Sequence, residues 1–218
     1  MEHKPIETYY NGYRFRSRLE AKWAVFFDTL GVKYEYEPEG FQTPAGYYLP
    51  DFRVQCYGKR GDFGGPPFDL WIEVKGKMTE EDAKKIRAFA NVQTEYHCEG
   101  GWTWESEHPE NPILILPDIP LSTITADDEI PKEFDHYDTP AFNYELIDGD
   151  YFGAYPAATK EGDFYLFGAD SNYINKEDEV VVNAAYKIAR QARFERGEHI
   201  KIINGINQFR REMMQYWV

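Results

Sequence analysis

Residues 113–116 read Ile-Leu-Ile-Leu, an unbroken apolar run entered through Pro112. Successive apolar residues put large side chains on both faces of a strand, so neither face can be left to water. The sheet that holds this strand must therefore be covered on both sides, which points to an α/β architecture. A chain of 218 residues can bury such a core without staples.

The elements that would supply the cover can be read upstream. Tyr9 to Phe15 is expected to form a short turn or hairpin around Asn11-Gly12. Ser17 then caps a helix in which Leu19, Trp23, Phe26 and Leu30 recur at helical spacing, and Gly31 stops it. A strand follows over 32–36, then a turn containing Pro and Gly. Thr79 caps a second helix, with Glu80, Glu81 and Asp82 in the first turn, where they suit the helix dipole, and Ala83, Ile86 and Ala90 on its inner stripe.

Between the two helices lie two segments with period-2 patterning. Phe52, Val54 and Cys56 alternate with Asp51, Arg53 and Gln55; Leu70, Ile72 and Val74 alternate with Trp71, Glu73 and Lys75. Glu73 and Lys75 therefore emerge on one strand face, and Asp51 stands at the start of a neighbouring strand, after Pro50. The glycine-rich stretch 57–67 is expected to be the hairpin loop between them. Two carboxylates and an ammonium brought together in this way meet the needs of a metal-dependent phosphodiesterase.

As bare strings these motifs carry little, since Glu-x-Lys recurs at Glu2-His3-Lys4 and Glu20-Ala21-Lys22, and Pro-Asp at Pro117-Asp118. Order, hairpin spacing and the surrounding alternation distinguish Asp51 and Glu73-Val74-Lys75 from the rest.

The net charge of -14 is unusual for a protein that grips nucleic acid through counterion release. Its distribution is uneven. Residues 1–95 hold 14 Lys and Arg against 15 Asp and Glu, residues 96–186 hold 3 against 20, and residues 187–218 hold 7 against 3. The acidity thus lies outside the motif segment. Cys56 and Cys98 are far apart, no secretory signal is seen, and no apolar run reaches membrane-span length, so a cytoplasmic protein without membrane association is expected.

Beyond residue 118, strands are expected over 142–147, 151–155 and 164–167, then a helix from Asp178 or Glu179 through Ala192 and a last helix over 206–216. The division expected is 1–118 as a core and 119–218 as an acidic α+β extension packed on it.

The order of helix, three strands, helix and strand, together with Phe15-Arg16-Ser17-Arg18-Leu19-Glu20-Ala21-Lys22-Trp23-Ala24, Tyr34-Glu35-Tyr36-Glu37-Pro38, Pro50-Asp51 and Glu73-Val74-Lys75, resembles the PD-(D/E)XK nuclease superfamily over roughly residues 9–117. It looks like members carried by phages and mobile elements, and its first helix is similar to that of transposon-end endonucleases of the Tn7 type. The resemblance implies a restriction-endonuclease-like αβββαβ core with a mixed central sheet flanked by helices. It also implies a metal-dependent DNA endonuclease that binds Mg2+ or Mn2+ through Asp51, Glu73 and the Val74 carbonyl, with Lys75 orienting or polarising the attacking water and Glu20 contributing from the first helix.

Such carboxylates would repel one another by roughly 4 kcal/mol for a pair at about 4 Å and an effective dielectric of about 20, an energy that a divalent ion and Lys75 would offset. Arg16, Lys59, Arg60 and Lys77 are the expected nucleic-acid contacts.

Each residue has a plainer reading. Ser17-Arg18-Leu19-Glu20 is a capping box, and Glu20 could pair with Arg16. Lys75 could be a solvated strand lysine or half of a cross-strand pair. Lys187, Arg190, Arg193 and Arg196 form a positive patch that either grips phosphate or neutralises the acidic segment; His97, Cys98 and His108 lack the pattern of a zinc site. The competing function is a binding module in which the acidic segment 96–186 mimics DNA or autoinhibits, or a helicase- or transposase-type partner supplies the DNA affinity.

Overall fold

The computed structural model describes residues 5–59, 67–99, 102–121, 154–159, 161–168 and 176–195, with shorter stretches between 202 and 212. It opens with a hairpin of β1 (Thr8–Tyr10) and β2 (Tyr13–Phe15), whose turn places Asn11 and Gly12 at positive φ. Helix α1 (Arg18–Leu30) follows. The Ser17 hydroxyl accepts the Glu20 N–H at 3.1 Å, and Gly31, at φ 77°, donates to the last carbonyls from a left-handed conformation that favours glycine. Both ends lie where the sequence places them.

Strand β3 (Tyr34–Tyr36) leads into a hairpin of β4 (Phe41–Thr43) and β5 (Gly46–Tyr48). The stretch expected to be a plain turn is therefore a structured arm. Next come β6 (Phe52–Lys59), β7 (Phe68–Val74) and α2 (Glu80–Ala90), then a long hairpin of β8 (Val92–Glu99) and β9 (Trp102–Pro109), and β10 (Ile113–Leu116). The chain closes on β11 (Ala154–Ala158), β12 (Phe164–Gly168) and α3 (Lys176–Gln191). Residues 142–147 and most of 151–155 lie outside the described residues, as do 60–66 of the expected loop; backbone at 205–209 and 211–212 is helical.

The protein is a mixed α/β structure around a mixed sheet ordered β10-β7-β6-β12-β11, with β3 also paired to β6. Strand β10 runs parallel to β7, and β7 antiparallel to β6. On its other edge β6 meets β3 antiparallel over Phe52–Val54 and β12 parallel from Cys56 onward. A strand from beyond residue 118 therefore sits inside the central sheet.

One face of the sheet carries the larger core. Helix α1 buries Trp23, Phe26 and Phe27 completely, as expected of a helix covered on several sides. Its neighbour α3 contributes Val182, Ala185, Tyr186 and Ala189, and the Tyr186 ring stacks on Phe26 at 4.7 Å between centroids. The Trp23 indole N–H donates to the Pro117 carbonyl at 2.8 Å, tying α1 to the end of β10.

The opposite face holds Trp71, Ile113 and Ile115 against Ile86, Phe89 and Ala90 of α2 and Tyr48 of β5. Ile113 to Leu116 are all buried, as the apolar run requires. Trp71 departs from the simple alternation. It lies on the same face as Glu73 yet is 5 % exposed, because α2 and the β4–β5 arm cover that side as well.

Candidate active site

Three carboxylates are buried where strand and helix ends meet: Glu20, Asp51 and Glu73, at 6 %, 2 % and 4 % exposure. The pairing of Phe52 with Ile72 extends by one residue to set Asp51 opposite Glu73, and residues directly opposite in an antiparallel pair share a face. Asp51 closes the ladder with its own side chain, as Oδ2 accepts the Val74 N–H at 2.7 Å. The Lys75 N–H turns the other way and donates to the Leu116 carbonyl at 2.9 Å. Because an extended residue directs its N–H and C=O to the same side, the Val74 carbonyl belongs to the Asp51 side.

Lys75 leaves the end of β7 on the Glu73 face. Its Nζ lies 3.1 Å from Glu73 Oε1 and 3.0 Å from Asp82 Oδ1. Asp82 is the N3 residue of α2, and its other oxygen accepts from the Thr79 hydroxyl and N–H, so a capping box fixes the carboxylate that holds Lys75. The second oxygen of Glu73 accepts the Tyr48 hydroxyl at 2.8 Å.

Glu20 is held separately. Its Oε2 accepts the Tyr36 hydroxyl at 2.6 Å and the Arg16 N–H at 3.0 Å. The capping box read from the sequence is thus displaced by one residue, with Glu20 reaching back to Arg16 rather than to Ser17. The Arg16 guanidinium, read as a partner for Glu20, pairs with Asp51 Oδ1 at 2.5 Å and with Glu37 at 2.6 Å. Its side chain remains 52 % exposed, so it covers Asp51 from the solvent side.

The electrostatics follow from this geometry. Burial, then the charges of Glu73 and Glu20, push the Asp51 carboxyl well above its ordinary range, against the Val74 N–H and Arg16. Burial also raises Glu73, and Lys75 and Tyr48 pull it back only in part. Burial lowers Lys75, but Glu73 and Asp82 outweigh it and leave the ammonium more strongly protonated than a free lysine. Burial and the adjacent Glu73 push the Tyr48 phenol up, so it acts as a donor.

Two carboxylates whose burial outweighs the cations beside them, with a strand carbonyl on the same side, form the hard-oxygen donor set that suits Mg2+ or Mn2+. Arg16 and Lys75 supply the cationic charge to that pair here. Glu20 is committed to Tyr36 and the Arg16 amide, and among the described residues no group of three or more His, Cys, Asp or Glu is arranged to hold a metal ion. The fit is that of a two-carboxylate site, with Glu20 as its neighbour.

Of the other expected contacts, Lys77 is exposed just past β7. The Lys59 side chain and Arg60 lie outside the described residues, as do the side chains of His97, Cys98 and His108. Cys56 is buried within β6.

Tyr36, Tyr48 and Asp82 were not visible as site residues from strand periodicity alone. The nearest signal is position: Tyr48 precedes Leu49-Pro50-Asp51, and Asp82 lies one turn into the helix after Lys75. No family model, curated protein or solved structure matches the chain. Among the described residues no helix is long and apolar enough to cross a membrane.

Proposed function

We propose that the chain is a metal-dependent endonuclease that hydrolyses DNA phosphodiester bonds on a restriction-endonuclease-like core. The observation that carries the reading is the convergence of Asp51, Glu73 and Lys75 at the adjoining ends of β6 and β7, with both carboxylates buried and Lys75 held at 3.1 Å from one of them. The element order α1, β3, β6, β7, α2, β10 supports it, with the β4–β5 and β8–β9 hairpins as insertions.

In this reading Asp51, Glu73 and the Val74 carbonyl hold a Mg2+ or Mn2+ ion, which supplies an activated water and neutralises charge on the phosphoryl oxygens. Tyr48 fixes one oxygen of Glu73, and the Val74 N–H fixes one oxygen of Asp51. Lys75 is a poor general base because its neighbours keep it protonated. Its ammonium orients the water or offsets phosphate charge. Asp82 positions Lys75, and Glu20 adds negative potential that strengthens the demand for a cation at Asp51.

One observation favours a second reading, a binding module whose site performs no chemistry or needs a helicase- or transposase-type partner: the Arg16 guanidinium already occupies Asp51 Oδ1. Cleavage assays on supercoiled plasmid, linear duplex, single-stranded and four-way-junction DNA, with Mg2+, Mn2+ or EDTA, separate the two. Metal-dependent cleavage lost in a folded Lys75→Ala variant is the expected result. Absence of cleavage on every substrate would reject the first reading for the isolated chain.

A further inference from the structure

Immediately past Lys75 the surface opens into a groove of about 260 Å³ between the first turns of α1 and the end of α3. Its floor is Leu19, Ala192 and Phe194, and its rim carries Arg18, Lys22 and Arg193, with Asp118 and Glu195 also on its walls. Gly76 joins the groove to the carboxylate site. A β-carbon there would lie 3.7 Å from Leu19 Cδ2 and 3.9 Å from Asp118 Oδ1, both of which line the groove.

We propose that this groove holds the phosphodiester backbone of a nucleic-acid strand on one side of the carboxylate site, with Arg18, Lys22 and Arg193 as its phosphate contacts. The proposal rests on the nuclease reading for the position of the scissile bond. The groove's own argument is steric and electrostatic. At this volume it is smaller than a typical cofactor pocket, and three of its lining side chains are cationic.

Arg18 and Lys22 stand one helical turn apart on the same face, with about 5–6 Å between their β-carbons, a spacing that suits neighbouring phosphates. Arg18 touches Glu195 at 3.6 Å with both side chains more than half exposed, a loose pair that a phosphate can replace. Among the described residues Lys22 and Arg193 have no ion-pair partner. Arg193 also comes from the segment 187–218, where 7 Lys and Arg stand against 3 Asp and Glu, so the fold delivers the basic end of an acidic chain to the edge of the site. The walls are firm, since Phe26 and Tyr186 stack between α1 and α3, and the Arg190 guanidinium donates to the Pro120 carbonyl.

The test is fluorescence anisotropy with labelled single-stranded and duplex DNA in EDTA, titrated at several KCl concentrations between about 50 and 200 mM, a range over which phosphate contacts register strongly. The doubly substituted Lys22→Ala, Arg193→Ala protein is expected to bind at least about ten-fold more weakly, and the slope of log K against log salt should fall by roughly 1.4 to 1.8, the value for two lost phosphate contacts. Lys187→Ala, an exposed α3 cation outside the groove, should stay within about two-fold of wild type.

An unchanged affinity and slope in the double variant would overturn the proposal, as would an equal loss in Lys187→Ala or no binding by wild type. Circular dichroism and melting of each variant show whether it is folded; Arg18→Ala is the second variant should the pair fail. Cleavage that survives in a double variant with normal binding removes the groove and leaves the nuclease. Groove-dependent binding by a chain that cuts nothing does the reverse.

Discussion

Replacing Tyr48 by Phe removes one hydroxyl and little else. The ring keeps its place against Phe89, at 4.9 Å between centroids, so no cavity opens. What is lost is the donor 2.8 Å from Glu73 Oε2, in a site where Tyr48 is 7 % and Glu73 4 % exposed. A hydrogen bond to a charged group contributes about 1.5–3 kcal/mol, and no water can easily take the vacated place. For a domain of this size about 2 kcal/mol corresponds to a fall in Tm of roughly 4–8 °C.

The loss should depend on pH in a definite sense. Glu73 has a folded pKa above its unfolded one, so its contribution to stability is present below the ordinary carboxylate range and is lost as pH rises through the folded value. Tyr48 opposes that shift by favouring the ionised form. Its removal should therefore destabilise the protein more at pH 8 than at pH 5, because the ionised fraction of Glu73 rises with pH. Thermal melts of wild type and Tyr48→Phe in EDTA at the two pH values measure the difference. Equal losses at both, or a loss under about 0.5 kcal/mol at pH 8, would refute the reasoning.

Two further outcomes are expected. At pH 8, about 10 mM Mg2+ should raise the Tm of wild type, by the equivalent of about 1.4 kcal/mol if the affinity is near 1 mM; Arg16→Ala, which frees Asp51 Oδ1, should show the larger rise, and no rise in either protein would remove the metal reading. Gly162→Ala should cost at least about 2 kcal/mol, because φ is 92° and the new β-carbon would lie 2.5 Å from the Gly31 carbonyl oxygen. Gly46→Ala, at φ 106° but with open space around it, should cost less in the same melts.

Local features of the site could be read before the fold was known, and long-range ones could not. Ser17 and Gly31 bracket α1 through bonds to their own neighbours, and period-2 alternation puts Glu73 and Lys75 on one face; both are short-range facts. The partners of those side chains arrive across long separations in the chain. Tyr48 reaches Glu73 only because β4 and β5 fold into an arm over the sheet, and a stretch punctuated by Pro38, Gly40, Pro44 and Gly46 gives little hint of it.

Arg16 reads as a surface cation until β6 brings Asp51 beneath it. The β8–β9 hairpin was missed for another reason. Its residues are mostly polar, so the alternation of Val92, Thr94, Tyr96 and Cys98 with Gln93, Glu95, His97 and Glu99 carries few large apolar side chains to announce a strand.

The place of β12 in the sheet bears on how the molecule is made. On the ribosome, Asp51, Glu73, Lys75 and Asp82 emerge early, yet the free edge of β6 beyond Cys56 waits for Phe164 to Gly168. At roughly 5–20 residues per second, the interval between Lys75 and Gly168 lasts about 5–20 s. During that time three acidic side chains destined for burial have no finished sheet to bury them, and β6 presents unpaired backbone to its surroundings. The nascent chain thus carries its chemistry before the central sheet that buries it is complete.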